Sequence, residues 1–534
     1  MESKLLELDS KPSLNGNVNH KRPSLTIFRL LAEALVAIVV MNMAISPCLV
    51  FADFTSIAVS DEWKTTSPEE VGIDSDSLAE MFRFVRERNI PVHSIQIVRH
   101  GRLVLDAYFY PYQAGMRHDV ASVTKSITST LVGIAIDKGL IRNVHAQVLS
   151  FFESRSIASL DARKQTITLE HLLTMQAGWD CGFELHEARL FEMRRTEDWP
   201  KFMLDLPMVA EPGSRWAYCS GNCHLLSAIL TQTTHTNALT FARRELFGPL
   251  GIEDVAWAAD SQGNNHGWGD LQLRPRDMAK IGQLFLQQGQ WHDRRIVSET
   301  WIHDATRAHA DQTINRDHYG YFWWVKGNDY PGMFEAVGRG GQRINVWPAK
   351  DLVIVFTGGE FEPGDITPFI LKALKSDKPL VSDLAASERL KQGIVAATNP
   401  PPPKAIDKLP SMAARISGKR ITLSANGLDL SGLRFLFSQS EGKVQLTRLG
   451  EQLNSAIGLD DVERFSANTF IGLPFAAKGK WLSDDTFFLQ INRVGGINCY
   501  DFTLKFLPDA RAVTVSLKEH TGLNNETFTG TVAE

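Results

Sequence analysis

The chain has 534 residues, of which 43% are hydrophobic and 22% are charged, and this composition is that of an ordinary globular protein. Its length exceeds what a single hydrophobic core usually serves, so at least two domains are expected. The net charge of -5 argues against a nucleic acid partner, because phosphate binding requires a basic face.

The N-terminal segment, residues 1–52, has the layout of a secretory signal. Lys21 and Arg22 precede an apolar stretch that runs from Phe28 to Phe54, and residues 50–52 resemble the small-residue pattern of a signal-peptidase cleavage site. We therefore expect export to the periplasm or to the outside, with cleavage after Ala52. The length of the apolar stretch also permits the alternative of an uncleaved membrane anchor.

Residues 60–380 are expected to form one α/β (α+β) domain. Short β-rich runs lie near both of its ends, and runs with helical apolar spacing lie between them. The predicted helices are 76–89, 122–139, 168–175, 223–233, 238–251, 274–289 and one starting at Asp365, and the predicted strands are 94–109 around a turn at Gly101, 319–325, 341–347 and 352–359. This order predicts an antiparallel sheet flanked by helices, with a helical lobe inserted between its two halves.

The C-terminal part of the chain has a different sequence pattern from the first domain. Residues 381–413 are interpreted as a linker, because they contain the stiff proline run of residues 399–404. Residues 414–534 alternate apolar and polar side chains between turn residues, which predicts an all-β accessory domain, a small barrel or sandwich. Since the candidate catalytic residues described below all precede it, this domain is expected to be dispensable for chemistry.

The cysteines give a limited signal. Cys48 lies in the predicted signal, and an exported enzyme can pair some of the other four, Cys181, Cys219, Cys223 and Cys499. Two of these, at 219 and 223, share a helix face and suit packing better than bonding to each other. No spacing resembles a zinc site, so neither a metal nor another cofactor is expected.

Ser122 and Lys125 form the first candidate piece of chemistry, an S-x-x-K pair at the start of a helix. Residues three apart lie one above the other, so the amine can reach the hydroxyl. A serine is a poor nucleophile until a nearby base takes its proton, and a lysine serves as that base when its surroundings lower its pKa. The alternative from these residues alone is a helix-capping serine followed by a solvated lysine.

The second piece is the segment that contains Tyr218, Ser220 and Asn222, which precedes a predicted helix. A tyrosine and a hydroxyl or amide two residues on can face one cavity from a loop. The alternative is a tyrosine packed under the helix start.

The third piece is Arg339, Gly340 and Gly341 at the entry to a predicted strand. Glycines there allow the close approach of a ligand, and a backbone N–H at such an edge can stabilise an oxyanion. The alternative is a strained hairpin that needs flexible residues.

In their order and context, these pieces resemble the serine β-lactamase and penicillin-binding protein superfamily, in its class C-like branch. The runs ITLEHLLTMQAG, MAKIGQLFLQQGQW and GYFWWV also look like this family. The resemblance covers roughly residues 65–375 and implies Ser122 as the acylated nucleophile and Lys125 as its base partner. It further implies Tyr218 as a proton shuttle, and the backbone N–H groups of Ser122 and Gln342 as the oxyanion hole.

Two departures from the family pattern bear on the substrate. Ser220 replaces the expected asparagine, and Arg339 replaces the lysine or histidine of the Lys-Thr-Gly or His-x-Gly element. A guanidinium cannot carry protons, so Arg339 is expected to bind a substrate carboxylate or, alternatively, to pair with an acid such as Glu335. Both departures make β-lactam hydrolysis less expected, and they favour a resemblance to the 6-aminohexanoate-dimer hydrolase and carboxylesterase branch of the superfamily.

The sequence therefore predicts an exported serine hydrolase that cleaves a small ester, amide or peptide-like substrate through an acyl-enzyme on Ser122. Two alternatives stay open. One is a D-amino-acid peptidase or β-lactamase that acts on cell-wall-like substrates, and the other is a non-catalytic relative that binds the cell wall. The second alternative requires a missing catalytic residue, whereas Ser122, Lys125 and Tyr218 are all present.

Overall fold

A computed structural model describes residues 63–181, 187–311, 317–327 and 330–534. Residues 62–534 belong to one compact unit. The predicted signal segment, residues 1–52, lies outside the described residues. Within the described ranges, no helix has the length and apolar character that a bilayer crossing requires.

The first domain is built on an eight-stranded antiparallel sheet made from both ends of the domain, as the sequence predicts. The N-terminal strand Val92–Arg99 pairs with the late strand Leu352–Gly358, with Gln96 opposite Val355. In spatial order, the strands are Arg102–Tyr108, Val92–Arg99, Leu352–Gly358, Gln342–Trp347, Phe334–Gly338, Trp324–Val325, His318–Tyr319 and Ala310–Asp311.

Both faces of this sheet are covered, so its strand Leu352–Gly358 is apolar from Leu352 to Phe356. Strand Leu352–Gly358 is buried at every position. Its residues Val353 and Val355 belong to the core on one face, and Ile354 belongs to the core on the other. A strand buried on both faces reads as a continuous hydrophobic run rather than an alternating one.

Helices supply the cover on each face. Helix Pro275–Leu286 packs on one face through Gly282, where a Cβ would lie 2.5 Å from Cγ1 of Val353, so a larger residue would push the helix away from the sheet. Helix Ser75–Glu87 lies on the other face and is capped by Asp74, which accepts a hydrogen bond from the Ser77 N–H. Helices Glu299–Ala305 and Thr367–Ala373 complete the set.

The helical lobe surrounds one central helix, Val123–Asp137. This helix is apolar or uncharged around nearly its whole circumference and is buried from Val123 to Ala135, as expected for a helix enclosed on all sides. The remaining lobe helices are Ala162–Gln165, Leu169–Leu173, Ala188–Met193, Trp199–Asp205, Ser220–Thr234 and Ala238–Ala242.

The C-terminal domain is an all-β, barrel-like sheet of ten antiparallel strands with its own hydrophobic core. Side chains of Ser466 and Asn468 on the last strand bond the carbonyl of Asn454 on the first, which brings the two edges together. In spatial order, the strands are Glu451–Ile457, Gly442–Arg448, Leu430–Phe437, Arg420–Leu423, Asn525–Val532, Ala512–Glu519, Cys499–Phe506, Thr486–Arg493, Leu473–Trp481 and Arg464–Phe470.

The interval 381–413, interpreted from the sequence as a linker, carries two helices. Helix Leu384–Thr398 packs against helix Ser75–Glu87, and Ser411–Ile416 leads into the barrel. Ala386 and Leu390 are the buried residues of the first helix. Two apolar positions are too few to predict a helix from the sequence, whereas the proline run that follows them predicts a linker. The linker interpretation therefore holds only for the extended proline segment between the two helices.

Candidate active site

Ser122 sits at the tight turn that opens the central helix. The preceding residue, Ala121, has a φ of 46°, a left-handed conformation that costs energy for a residue with a side chain. The Asp119 carboxylate accepts a hydrogen bond from the Ala121 N–H at 2.9 Å and holds this turn. Although Ser122 occupies the N-cap position, its side chain makes no capping hydrogen bond, so the hydroxyl is free for another role.

Lys125 is buried, with 2% of its surface exposed. Its Nζ donates to Ser122 Oγ at 2.7 Å and to the carbonyl oxygen of Trp268 at 3.2 Å. The alternative of a capping serine followed by a solvated lysine is therefore wrong in both of its parts. A buried amine costs free energy unless it is hydrogen-bonded, and here that amine is aimed at the hydroxyl.

Tyr218 completes a three-residue cluster with Ser122 and Lys125. The Lys125 ammonium lies 4.8 Å from the centre of the Tyr218 ring, and the phenol interacts electrostatically with this ammonium. A disulfide between Cys219 and Cys181 fixes the residue next to Tyr218, with a Cα–Cα distance of 5.7 Å. The sequence-predicted nucleophile, amine and phenol are thus brought together.

The protonation of this cluster is set by burial and by charge. Burial by itself lowers the pKa of Lys125, but interactions with Tyr218, Glu187 and Cys223 outweigh it, so the pKa lies above its usual value. Burial raises the pKa of the Tyr218 phenol, against a lowering by the Lys125 charge. The sequence-based expectation of a lowered lysine pKa therefore does not fit these surroundings, and near neutral pH the amine carries its proton.

Glu187 is the acidic member of this site that the sequence analysis missed. Burial raises the pKa of its carboxyl, while Lys125 and both the hydroxyl and the backbone N–H of Ser220 lower it. Its Oε2 is buried and has no hydrogen-bond partner in the described part of the chain. No local motif marks this residue, because only the fold brings it to the central helix.

Ser220 and Asn222 lie on the first turn of helix Ser220–Thr234, which begins three residues earlier than predicted. The Asn222 amide oxygen accepts a hydrogen bond from the Trp179 indole at 2.8 Å, and its NH₂ lies 3.8 Å from the sulfur of Met175. The side chain of Asn222 therefore serves the packing of the lobe, whereas Ser220 reaches the site through Glu187.

The Arg339–Gln342 segment forms the tip of a hairpin beside Ser122. Gly338, which pairs with Gln342 across the hairpin, lies so close to the Ser122 turn that a Cβ would stand 2.5 Å from the carbonyl oxygen of Val120. Gly340 and Gly341 both have positive φ angles, of 80° and 97°, which explains the glycine pair.

The side chain of Gln342 is fixed inside the sheet. Its amide donates to the carbonyl oxygen of Gly358 at 2.7 Å and accepts from the Gly358 N–H at 3.2 Å. These two bonds fix the position of Gln342. That the backbone N–H groups of Ser122 and Gln342 form the oxyanion hole remains a prediction.

Arg339 points towards the C-terminal barrel. Its guanidinium donates to the Thr521 hydroxyl, which in turn donates to Glu519 at 2.7 Å. Glu335, the acid named as an alternative partner from the sequence, instead lies near Lys326 and Arg343.

A barrel loop, residues 494–498, inserts against both segments of the site. The carbonyl oxygen of Gly495 accepts a hydrogen bond from the Asp119 N–H at 2.7 Å, three residues before Ser122. Ile497 lies against Gly340, where an added Cβ would come within 2.3 Å of it. The expectation that the barrel is dispensable for chemistry is therefore not supported, because its loop braces both the serine turn and the hairpin.

Aromatic side chains form a wall next to Tyr218. The ring centre of Tyr218 lies 6.1 Å from that of Trp216 and 6.4 Å from that of Trp324. Tyr319 packs edge-on against Trp324 at 5.0 Å. Such a wall suits an apolar part of a substrate.

The chain is similar to several known proteins. It is 24% identical to the 6-aminohexanoate-dimer hydrolase of Paenarthrobacter ureafaciens over 282 residues, which cover 48% of this chain and 70% of that protein. Similar solved structures include the octameric penicillin-binding protein homologue from Pyrococcus abyssi, with 15% identity, a TM-score of 0.45, and coverage of 85% of this chain and 99% of that chain. Another is EstCE1, a hydrolase with promiscuous acyltransferase activity, with 16% identity, a TM-score of 0.49, and coverage of 57% and 99%.

The family comparison agrees with the site geometry. The Beta-lactamase family model matches residues 78–366, which is more than half of the chain and includes Ser122, Lys125, Tyr218 and the Arg339–Gln342 hairpin. The chain therefore belongs to the Beta-lactamase family.

Proposed function

We propose that the protein is a serine hydrolase that cleaves an ester or amide bond through an acyl-enzyme on Ser122. The observation that carries this proposal is the buried Lys125 amine, which lies 2.7 Å from Ser122 Oγ instead of in solvent. A hydroxyl paired with a desolvated amine and a phenol is the arrangement of an activated nucleophile. A relative that only binds a partner would not need to bury this amine against a hydroxyl.

In the proposed reaction, Ser122 Oγ attacks the substrate carbonyl, and its proton passes to the pair formed by Lys125 and Tyr218. The pair must first lose one proton to solvent, since Lys125 is an ammonium near neutral pH. Backbone N–H groups of Ser122 and Gln342 stabilise the oxyanion, and Tyr218 returns the proton to the leaving group. Water then attacks the acyl carbonyl and gives its proton to the same pair, and the bond to Ser122 Oγ breaks as that oxygen takes the proton back, which releases the carboxylic acid.

The substrate is proposed to be a small ester or amide with an apolar portion beside the aromatic wall of Trp216 and Trp324. The similarity to a 6-aminohexanoate-dimer hydrolase supports an amide substrate. Two replacements argue against β-lactams: Ser220 stands where the family pattern has the asparagine that holds the antibiotic's side-chain amide, and Arg339 stands where it has a lysine or histidine that can carry a proton. Activity on D-amino-acid peptides or β-lactams is the competing outcome.

A substrate panel tests this proposal. Aryl esters, amide oligomers, D-amino-acid amides and a cephalosporin are offered to the wild type and to Ser122→Ala. We expect Ser122-dependent turnover of esters or amide oligomers and none of the cephalosporin. Preferred turnover of the D-amino-acid amide or the cephalosporin would favour the peptidase or β-lactamase alternative, and no Ser122-dependent turnover would contradict the proposal.

Export is a further part of the proposal. It rests on the N-terminal sequence pattern of residues 1–52, and the Cys181–Cys219 disulfide is compatible with an oxidising compartment. Peptide mass spectrometry of the protein recovered outside the cytoplasm should identify a new N-terminus at Asp53.

The pH dependence of the reaction should follow the Lys125–Tyr218 pair. Because the pKa of Lys125 is raised, the basic form is scarce at neutral pH, and kcat/KM should rise about tenfold per pH unit into the alkaline range. Glu187→Gln removes a charge that raises this pKa, so its profile should shift to lower pH. Rates are measured on a neutral ester, corrected for spontaneous hydrolysis.

Glu211→Gln, which changes a solvent-exposed acid in the loop before Tyr218, is the matched control and should keep the wild-type profile. A Glu187→Gln profile that coincides with the wild type would mean that this carboxylate does not tune the pair.

Arg339 is proposed to bind a substrate carboxylate when one is present. Arg339→Ala should then raise the activation free energy that corresponds to kcat/KM by about 2–3 kcal/mol for acidic substrates. It should leave kcat/KM for neutral esters of the same size nearly unchanged. Thr521→Val, which removes the barrel partner but keeps the arginine, is the control. Equal losses for both substrate classes, or none, would assign Arg339 to the contact with the barrel alone.

A further inference from the structure

The outer face of the barrel carries a cluster of three potential metal ligands, Cys499, Asp501 and His520. Their ligand atoms all lie within 4.8 Å of one another. Cys499 and Asp501 are two residues apart on one strand and so point to the same face, while Tyr500 between them points into the barrel core. His520 follows the neighbouring strand, and its N–H bonds the carbonyl oxygen of Cys499.

The register therefore assembles a sulfur, a nitrogen and an oxygen at one point of the sheet. Asp501 Oδ2 and His520 Nε2 are paired with each other at 3.0 Å, so an ion bound by both would replace this direct contact. The other oxygen, Oδ1, accepts a hydrogen bond from the Gln490 amide at 2.8 Å. This bond orients the carboxylate in the way that a residue behind a metal ligand does.

The surroundings of the cluster favour a cation. Cys499 has no disulfide partner and interacts electrostatically with the carboxylates of Glu463, Asp501 and Glu519. Two positive charges lie nearby: Lys518 interacts with Asp501 and His520, and Lys478 interacts with Cys499 while its Nζ is paired with Asp461 at 3.0 Å.

An ion has a path to this cluster. Cys499 and His520 line a cavity of about 900 Å³ between the barrel and the first domain. A fourth ligand, water or a small anion, can approach from the cavity side.

We propose that Cys499, Asp501 and His520 bind a divalent metal ion, with zinc as the best match. Thiolate, imidazole and carboxylate together are a typical zinc donor set, and soft sulfur disfavours magnesium and calcium. Binding forms one bond to each of the three side chains. It releases the thiol proton of Cys499, and any second proton on His520, to solvent. The ion is separate from the Ser122 chemistry, so the two proposals fail independently.

Cobalt(II) titration of the full-length, chelator-treated protein tests the site, because a thiolate ligand gives cobalt an intense charge-transfer band. We expect one equivalent to produce this band and zinc to abolish it. Cys499→Ser and His520→Gln should lose the band, whereas Cys223→Ser, the control at the other free thiol of the described chain, should keep it. Gln490→Leu should keep the band but weaken cobalt binding about tenfold.

A measurement on the wild type alone tests the site without variants, whose loss of the band could result from misfolding. Zinc should slow alkylation of Cys499 by iodoacetamide, as mapped by peptide mass spectrometry, and should leave the rate at Cys223 unchanged. Absence of a thiolate band in the wild type, a band that survives Cys499→Ser, or alkylation of Cys499 that zinc does not slow would overturn the proposal.

Discussion

Lys125→Ala is expected to lower acylation of Ser122 by about 10³-fold or more, because it removes the amine through which the serine proton leaves. The loss should not add to that of Ser122→Ala, since members of one catalytic unit fail together. Pre-steady-state acylation by an activated ester measures the step directly.

Two further variants separate chemistry from folding. Lys125→Met fills the same buried volume without an amine and should be as inactive as Lys125→Ala. Lys138→Ala, at the exposed C-terminal end of the same helix, should be fully active. Near-normal acylation in the Lys125 variants, with an unchanged unfolding temperature, would mean that another group deprotonates the serine.

Gly495→Ala in the C-terminal barrel is expected to lower kcat/KM for neutral esters by about a hundredfold, although this residue is far from Ser122 in the sequence. Gly495 has a φ of 84°, and an added Cβ would lie 2.5 Å from the carbonyl oxygen of Arg117. The loop must therefore withdraw and loosen its hydrogen bond to Asp119, which braces the turn before the nucleophile.

Gly522→Ala is the matched control for this change. Gly522 has a similar φ of 80° in a neighbouring barrel turn, but an added Cβ meets no atom within 4 Å. The control therefore carries the same backbone strain without the clash and should keep most of the activity. Equal activity of the two variants would show that the barrel loop does not position the site.

The sequence predicted the parts of the molecule whose signals are local. The hairpin around Gly101, the capped helix after Thr168 and the pairing of strands from both ends of the first domain all follow from apolar periodicity and turn residues, and all are confirmed. The contact between Lys125 and Ser122 was predictable for the same reason, because residues three apart on a helix meet.

What the sequence could not predict depends on register and on contacts between distant segments. Helix 238–251 was predicted too long: the α-helix ends at Ala242 and continues as a π-helix from Arg243 to Phe247 only. Glu187 reaches the site only through the fold of the lobe, and together with Tyr218 it contributes to raising the lysine pKa, against the expected direction. Cys499 and His520 become neighbours only because two barrel strands pair, so their spacing along the chain carries no metal motif.

The most direct test of the account is to locate the covalent adduct of a fluorophosphonate on the full-length protein by peptide mass spectrometry. We expect one adduct, on Ser122, formed rapidly by the wild type and lost in Ser122→Ala. We also expect the adduct to form far more slowly in Lys125→Met. An adduct on Ser126 or Ser220 instead, or labelling of Ser122 at the same rate in Lys125→Met, would contradict the assignment of Ser122 and Lys125 as nucleophile and proton acceptor.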